Sequence, residues 1–266
     1  GKEDYGFAVK IPVNSPVCLL NQRVAKIEAK KGASQSFVLH LLHSRPFLDE
    51  IYMAGSGTKQ ANLSSNDILS VNLLFPPLHE QQKIAIILTS VDEVIEKTQA
   101  QIDKLKDLKT GMMQELLTNG IGHTEFKDSP VGRIPAEWDV GTIDQYAHVS
   151  TGSKNTQDKV SNGKYPFIVR SQKVAFINSY SFDEEAILTA GDGVGTGKVF
   201  HYLNEKFDVH QRVYVIRKFE PKMLGKFLYF YFSSNFIFQV NKFSAKGSVD
   251  SVRMDMIAKM NIPVPS

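Results

Sequence analysis

The chain has 266 residues, of which 42% are hydrophobic and 22% are charged, which suits a globular protein of one large domain or two ordinary ones. No apolar run reaches the roughly 18–20 residues that span a bilayer, no signal segment is recognisable at the start, and the single Cys18 excludes an internal disulfide framework and a cysteine-built metal site. We therefore expect a cytoplasmic protein, although the net charge of +3 neither indicates nor excludes nucleic-acid binding.

The first part of the chain predicts a strand, a helix and a second strand, in that order. Residues 23–27 form a β-rich run, and residues 37–53 form an apolar run of helical character. A polar loop that contains glycine follows at 55–60. A short amphipathic segment then leads to an apolar strand at 71–77, which ends at proline because proline lacks the N–H that a β-ladder needs.

A long helix is predicted next, from about Leu78 to Thr118, because prolines precede it and Asn119-Gly120 follows it. Its apolar positions step by four and three residues, as in a heptad seam, with polar interruptions at Thr98 and Lys109. The predicted helix–helix interface consists of Ile84, Leu88, Val91, Ile95, Thr98, Ile102, Leu105, Met112 and Leu116. A length of about 60 Å, at 1.5 Å per residue, favours a coiled coil between domains over a helix packed on its own domain.

The last part of the chain repeats the first part at an offset of 189 residues without a gap, so that Gln22-Arg23-Val24 aligns with Gln211-Arg212-Val213. Further identical pairs are Ile27 and Ile216, Leu39 and Leu228, Ser44 and Ser233, Phe47 and Phe236, Ile68 and Ile257, Asn72 and Asn261, and Pro76 and Pro265. Their shared offset favours an internal repeat over coincidence. The repeat predicts a strand at 212–217, a helix at 223–243, a loop at 246–250 and a strand at 260–265.

Two short motifs are partly similar to catalytic or cofactor-binding loops. The run Phe75-Pro76-Pro77-Leu78 lacks the amide or carboxylate oxygen that an amino-methyltransferase loop needs, so we interpret it as a helix entry. The glycine-rich run 191–198 has Asp192 where a phosphate loop needs glycine, and Val199 where it needs Ser or Thr. We predict a tight turn or flexible loop there, and the seven histidines show no metal-ligand spacing.

Several motifs resemble the specificity subunits of type I restriction–modification enzymes. They are Ser56-Gly57-Thr58, Phe75-Pro76-Pro77-Leu78 with Glu80-Gln81 and Ile84-Ala85, Ile134-Pro135-Ala136-Glu137-Trp138, Tyr165-Pro166-Phe167 with Arg170, and His210-Gln211-Arg212. The resemblance implies an α+β fold, in which target-recognition domains of mixed β-sheet and helices are joined by a long coiled-coil helix. It assigns 1–77 to the C-terminal part of a first target-recognition domain, 78–119 to the conserved spacer helix, and 120–266 to a second target-recognition domain. The distal helix of the family is absent, so we expect a chain truncated at both ends.

The resemblance also implies a function. The protein would read a bipartite site on double-stranded DNA and scaffold methyltransferase (modification) subunits, with motor–nuclease (restriction) subunits joining through the complex. It would have no catalytic site, cofactor, metal or membrane contact of its own, and the 78–119 helix could pair with its copy in a homodimer. The alternatives are a fused methyltransferase or nuclease fragment, and a regulatory interaction protein that does not bind DNA.

Candidate DNA-binding side chains are Arg, Lys, Asn, Gln and Ser in predicted loops, because these groups match base edges and phosphates. They are Lys154, Asn155, Arg170, Ser171, Gln172, Gln211, Arg212, Lys246, Gly247 and Ser248, and in the first copy Gln22, Arg23, Thr58 and Lys59. The alternative for each is an ordinary surface loop. Because Gln-Arg recurs in both copies, whereas base contacts should differ between half-sites, we interpret this pair as phosphate-binding or structural. The aromatic run 227–238 favours a buried helix over a base-stacking platform.

Overall fold

The computed structural model describes residues 7–12, 14–54, 63–242 and 251–266. It divides into two compact units, Gly1–Leu105 and Lys106–Ser266. In the first unit the described regular elements are helices joined by irregular segments, and the second unit combines β-sheets with helices. The fold is therefore α+β, as predicted. Among the described helices, none is long and apolar enough to cross a membrane.

The first unit contains α1 (Gln35–Leu42), α2 (Arg45–Ala54), α3 (Ser65–Leu69) and the greater part of α4 (Leu78–Asn119). Its buried side chains are Phe37, Phe47, Ile51, Gln81 and Ala85. The single helix predicted at 37–53 is divided at His43, because Pro46 has no N–H with which to continue the hydrogen-bond ladder of α1.

The two strands predicted in the first unit do not form. Residues 23–27 and 71–77 are irregular, and Val24 (56% exposed) and Leu74 (92% exposed) face solvent. A strand is stable only when a neighbouring strand takes up its backbone N–H and C=O groups. Of the described residues before Phe126, none belongs to a strand, so these segments have no ladder to join.

The long helix is confirmed, since α4 runs without interruption from Leu78 to Asn119. All the apolar side chains of the predicted seam are exposed, from 37% at Ile84 to 63% at Leu105. The polar interruption at Thr98 is satisfied within the helix, because its hydroxyl donates to the Val94 carbonyl at 2.7 Å.

The second unit is built on a mixed six-stranded sheet in the order β4-β9-β7-β8-β5-β6. The strands are β4 (His148–Thr151), β5 (Tyr165–Ile168), β6 (Ala175–Ile177), β7 (Phe182–Ala190), β8 (Phe200–Val209) and β9 (Val213–Arg217). Strands β5 and β8 are parallel, and the other neighbours are antiparallel. Two smaller sheets pair β1 (Phe126–Ser129) with β2 (Gly132–Pro135), and β3 (Asp139–Thr142) with β10 (Asn261–Val264).

Both faces of the large sheet are buried. On one face, Ile187 and Ile216 pack in a cluster with Leu228, Phe232 and Phe236. The last three belong to α6 (Gly225–Lys242), so the aromatic run is largely a buried helix, as predicted. On the opposite face, side chains of the strands themselves form a second buried cluster, namely Ile168, Ala186, Leu188, Phe207, Val209, Val213 and Val215. Two shorter helices, α5 (Ile143–Tyr146) and α7 (Met254–Ala258), complete the unit.

The internal repeat is visible in the helices. Helix α7 lies at the repeat offset of 189 residues from α3, residue for residue. Phe47 and Phe236 are both buried, as are Ile51 and its counterpart Val240. Among the strands only the second copy agrees, since β9 and β10 form while their counterparts in the first copy do not.

Candidate nucleic-acid interface

Three loops of the second unit are tied together by backbone hydrogen bonds. The Lys154 N–H donates to the Val209 carbonyl (3.2 Å), and the Gln211 N–H donates to the Lys154 carbonyl (2.8 Å). The Gly191 N–H donates to the Arg212 carbonyl (2.8 Å). The loops after β4, after β7 and between β8 and β9 therefore form one surface, in which the polar side chains of separate strands meet.

A buried carboxylate stands at the centre of this surface. The Asp192 Oδ1 accepts from the Arg170 Nη1 at 2.8 Å, and its Oδ2 accepts from the Arg212 Nη1. The carboxylate side chain is 13% exposed, whereas the two arginine side chains are 44% and 61% exposed. We call Lys154, Arg170, Asp192, His210 and Arg212 the Asp192 cluster. In it, one shielded anion fixes two cations that face solvent.

The electrostatics of the cluster favour the ionised form of Asp192 and the neutral form of His210. Burial by itself would raise the pKa of Asp192, but the hydrogen bonds from Arg170 and Arg212 outweigh burial, and the pKa is lowered. Burial, together with the positive charge of Arg170, lowers the pKa of His210. Its Nδ1 is placed to accept from the Arg212 N–H at 3.0 Å, which assigns the proton of the neutral ring to Nε2.

Lys154 and Asn155 also have partners within the protein. The Lys154 ammonium lies 3.8 Å from Asp208 Oδ2, and Asp208 is fully buried. Asp208 accepts two further hydrogen bonds, from the Ser179 hydroxyl (2.8 Å) and the Val209 N–H (3.1 Å). The Asn155 Oδ1 accepts from the Gln211 amide at 2.7 Å. These residues hold the loops in place, and the ammonium of Lys154 is still partly exposed.

The glycine-rich run is a tight turn. A 3-10 turn spans Gly193–Gly195, and Gly193 has a φ of +75° that glycine adopts readily. The segment joins the Asp192 cluster directly through Asp192. From the sequence, Asp192 was interpreted only as a residue that does not fit a phosphate loop. Its place in a glycine-rich loop, between Arg170 and Arg212 in the chain, is a sequence signal that could have indicated an ion pair with these arginines.

The other predicted DNA-binding residues that the structure describes are not members of the Asp192 cluster. The Ser171 carbonyl lies 3.1 Å from His201 Nε2, and Gln172 is exposed. Gln22 and Arg23 are exposed in a turn of the first unit. Five predicted residues lie outside the described part of the chain, namely Thr58, Lys59, Lys246, Gly247 and Ser248. Across the described residues, no three His, Cys, Asp or Glu side chains are grouped so as to hold a metal.

The motifs at the start of α4 and at the end of β2 have structural roles. The side chain of Gln81, which is 1% exposed, accepts from the Ser34 N–H (2.9 Å) and donates to the Pro76 carbonyl (2.8 Å), so it ties the start of α4 to the start of α1. Trp138 is 4% exposed and packs edge-to-face on Phe227 of α6.

Comparison with known proteins connects this architecture to one family. Residues 9–107 and 135–266 match the type I restriction modification DNA specificity domain. The chain is 30% identical over 137 residues to the type I restriction enzyme MjaVIII specificity subunit of Methanocaldococcus jannaschii, an alignment that covers 46% of this chain and 32% of that protein. It is 29% identical over 136 residues to the EcoDI specificity subunit of Escherichia coli, covering 51% of this chain and 29% of that protein. The alignments thus span about a third of each relative.

Two solved structures share the fold. A type I restriction–modification S subunit from M. genitalium superposes with a TM-score of 0.60 at 14% identity, covering 86% of this chain and 60% of that one. A chain from a structure of complex assembly and conformational transition in the type I system gives a TM-score of 0.53 at 14% identity, covering 88% of this chain and 60% of that one.

Proposed function

Since the chain belongs to the type I restriction–modification DNA specificity family, we propose that it reads duplex DNA through the Asp192 cluster and has no catalytic site of its own. The observation that carries this assignment is the pair of exposed arginines held by one buried carboxylate. A guanidinium offers donors in a rigid fork that matches a phosphate or the O6 and N7 atoms of guanine. Asp192 engages one Nη1 of each arginine, which leaves other donors of both forks for DNA.

We further propose the domain plan of the family for this chain, with recognition segments at 1–77 and 120–266 around the helix 78–119. The recognised site would then be bipartite. The exposed apolar seam of α4 supports a role in assembly, because an apolar stripe of this length gains free energy when another helix covers it. We assign it to scaffolding of methyltransferase subunits, with motor–nuclease subunits joining through the complex, and to a homodimer when the chain is alone.

The decisive experiment is to map methylated sites after co-expression with the cognate methyltransferase subunit. We expect the wild-type chain to direct methylation to one defined sequence, and the double variant Arg170→Ala/Arg212→Ala to abolish it. The Lys variants at the same two positions keep the charge but lose the fork, so they should retain duplex binding and lose sequence discrimination.

Lys206→Ala serves as the matched control, because Lys206 is an exposed cation of the same unit outside the cluster. Its methylation pattern should equal that of the wild type. If the double Ala variant methylated the same sites at the same rate as the wild type, the Asp192 cluster would not be the reading surface.

A further inference from the structure

Val194 is an apolar residue in the turn that directly follows Asp192, next to the charged residues of the Asp192 cluster. It is 95% exposed, the highest value among the large hydrophobic residues described in the second unit. It occupies the middle of the 3-10 turn Gly193–Gly195, directly after Asp192. An exposed valine contributes no burial to folding, so its apolar surface is free to contact an apolar group of a ligand.

The turn that carries Val194 is fixed on both sides. Before it, the Gly191 carbonyl accepts from the Val252 N–H at 2.7 Å, and Asp192 is held by two arginines. After it, the N–H groups of Thr196 and Lys198 close successive turns, and Val199 is buried. A side chain presented by such a turn has a defined position, which a residue that selects one chemical group requires.

The same turn lies against Arg170. A Cβ at Gly195 would come 2.8 Å from the Arg170 carbonyl oxygen, and a Cβ at Gly193 would lie 3.8 Å from Arg170 Nη1. The absence of a side chain at Gly195 therefore lets the loop approach the Arg170 backbone closely, while Gly193 lies at ordinary contact distance from the guanidinium. The turn that carries Val194 is therefore adjacent to an arginine that, under the proposed function, contacts the DNA.

We propose that Val194 is a specificity-determining residue that contacts the C5-methyl group of a thymine in the major groove, an inference that rests on the proposed DNA binding. In that groove the thymine methyl is the apolar group on the base edges, and apolar side chains read it by contact. Valine is not among the residues that commonly act as wedges between base steps, namely Phe, Leu, Ile, Met and Pro.

The test begins with the mapped recognition site and uses the complex of this chain with its methyltransferase subunit. Duplexes of that site are made with each thymine replaced in turn by deoxyuridine, which removes only the methyl group. We expect the wild-type complex to bind one such duplex about fourfold more weakly, the factor for burying one methyl group. The Val194→Ser complex should bind both duplexes equally.

Val160→Ser is the control, because Val160 is another exposed valine of the same unit, at 40% exposure. It should keep the uracil penalty of the wild type. If no thymine-to-uracil change weakens wild-type binding, or if Val194→Ser keeps the full penalty, the inference fails while DNA binding stands. If Val194→Ser abolishes methylation without changing the affinity for DNA, Val194 contacts a protein, and the inference is also overturned. If the wild-type complex binds no duplex sequence, the proposed function itself fails.

Discussion

Replacing Asp192 by asparagine removes the anion that fixes the two arginines and keeps the size of the side chain. A hydrogen bond to a charged group contributes about 1.5–3 kcal/mol in a shielded site, and an exposed ion pair only about 0–1 kcal/mol. The carboxylate is shielded, but both guanidinium groups are well exposed to solvent and are screened by it. We therefore expect Asp192→Asn to lower the free energy of unfolding by about 1–2 kcal/mol at pH 7.

The loss should depend on pH in a defined direction. The pKa of Asp192 in the folded protein lies below its ordinary value of 3.8. Its stabilising contribution is therefore fully present above that ordinary value, and it is lost as the pH falls through the lower folded-state pKa. The difference in stability between wild type and Asp192→Asn should be constant near neutral pH and should shrink in the acid range.

Urea unfolding followed by fluorescence measures this effect, because the single tryptophan, Trp138, is buried in the same unit. Asp183→Asn is the matched control: it makes the same charge change at an exposed carboxylate 3.8 Å from Lys206, and it should shift stability by less than about 0.5 kcal/mol. Equal urea midpoints for wild type and Asp192→Asn at pH 7, or a difference that does not change with pH, would refute the reasoning.

Three further predictions concern other parts of the chain. Ile95→Asp with Ile102→Asp should convert a micromolar dimer to monomer in sedimentation, because each change puts unpaired charge into the helix seam at a cost of several kcal/mol; a monomeric wild type would contradict the homodimer. Gln81→Ala should lower the free energy of unfolding by about 1–3 kcal/mol in urea, followed by circular dichroism, because two hydrogen bonds of a buried amide are lost. Lys154→Ala should reduce the slope of log affinity for duplex against log salt by about one unit if its ammonium contacts a phosphate, and an unchanged slope would assign it wholly to Asp208.

Helices were predictable from the sequence because their signals are local. The heptad spacing, with proline before and glycine after, defined α4 to within one residue of its observed end. The repeat placed α6 within two residues of its start. The break between α1 and α2 was missed, although Pro46 marks it, because the apolar run continues across it.

Strands were predictable only where partners exist. Strand β9 at 213–217 is aligned by the repeat with residues 24–28, yet only β9 pairs with neighbours, in this case β4 and β7. Strand preference measures packing against adjacent strands more than it measures an intrinsic tendency of the backbone. The same limit applies to the site, because Asp192 reaches Arg212 through the pairing of β7 with β9, which no local pattern encodes.

The repeated Gln-Arg pair shows why recurrence alone does not separate a structural role from a binding role. In the second unit, Gln211 has a structural role, because it binds the loop after β4 through both its backbone N–H and its side chain. Arg212 is tied to Asp192 but is more than half exposed, so one residue can hold the loop and still offer donors to a phosphate. Because the Asp192 carboxylate orients the arginine, the structural role of Arg212 and its capacity to bind a phosphate depend on the same ion pair. Sequence discrimination is therefore to be tested at the two arginines and, independently, at Val194 in the turn that follows Asp192.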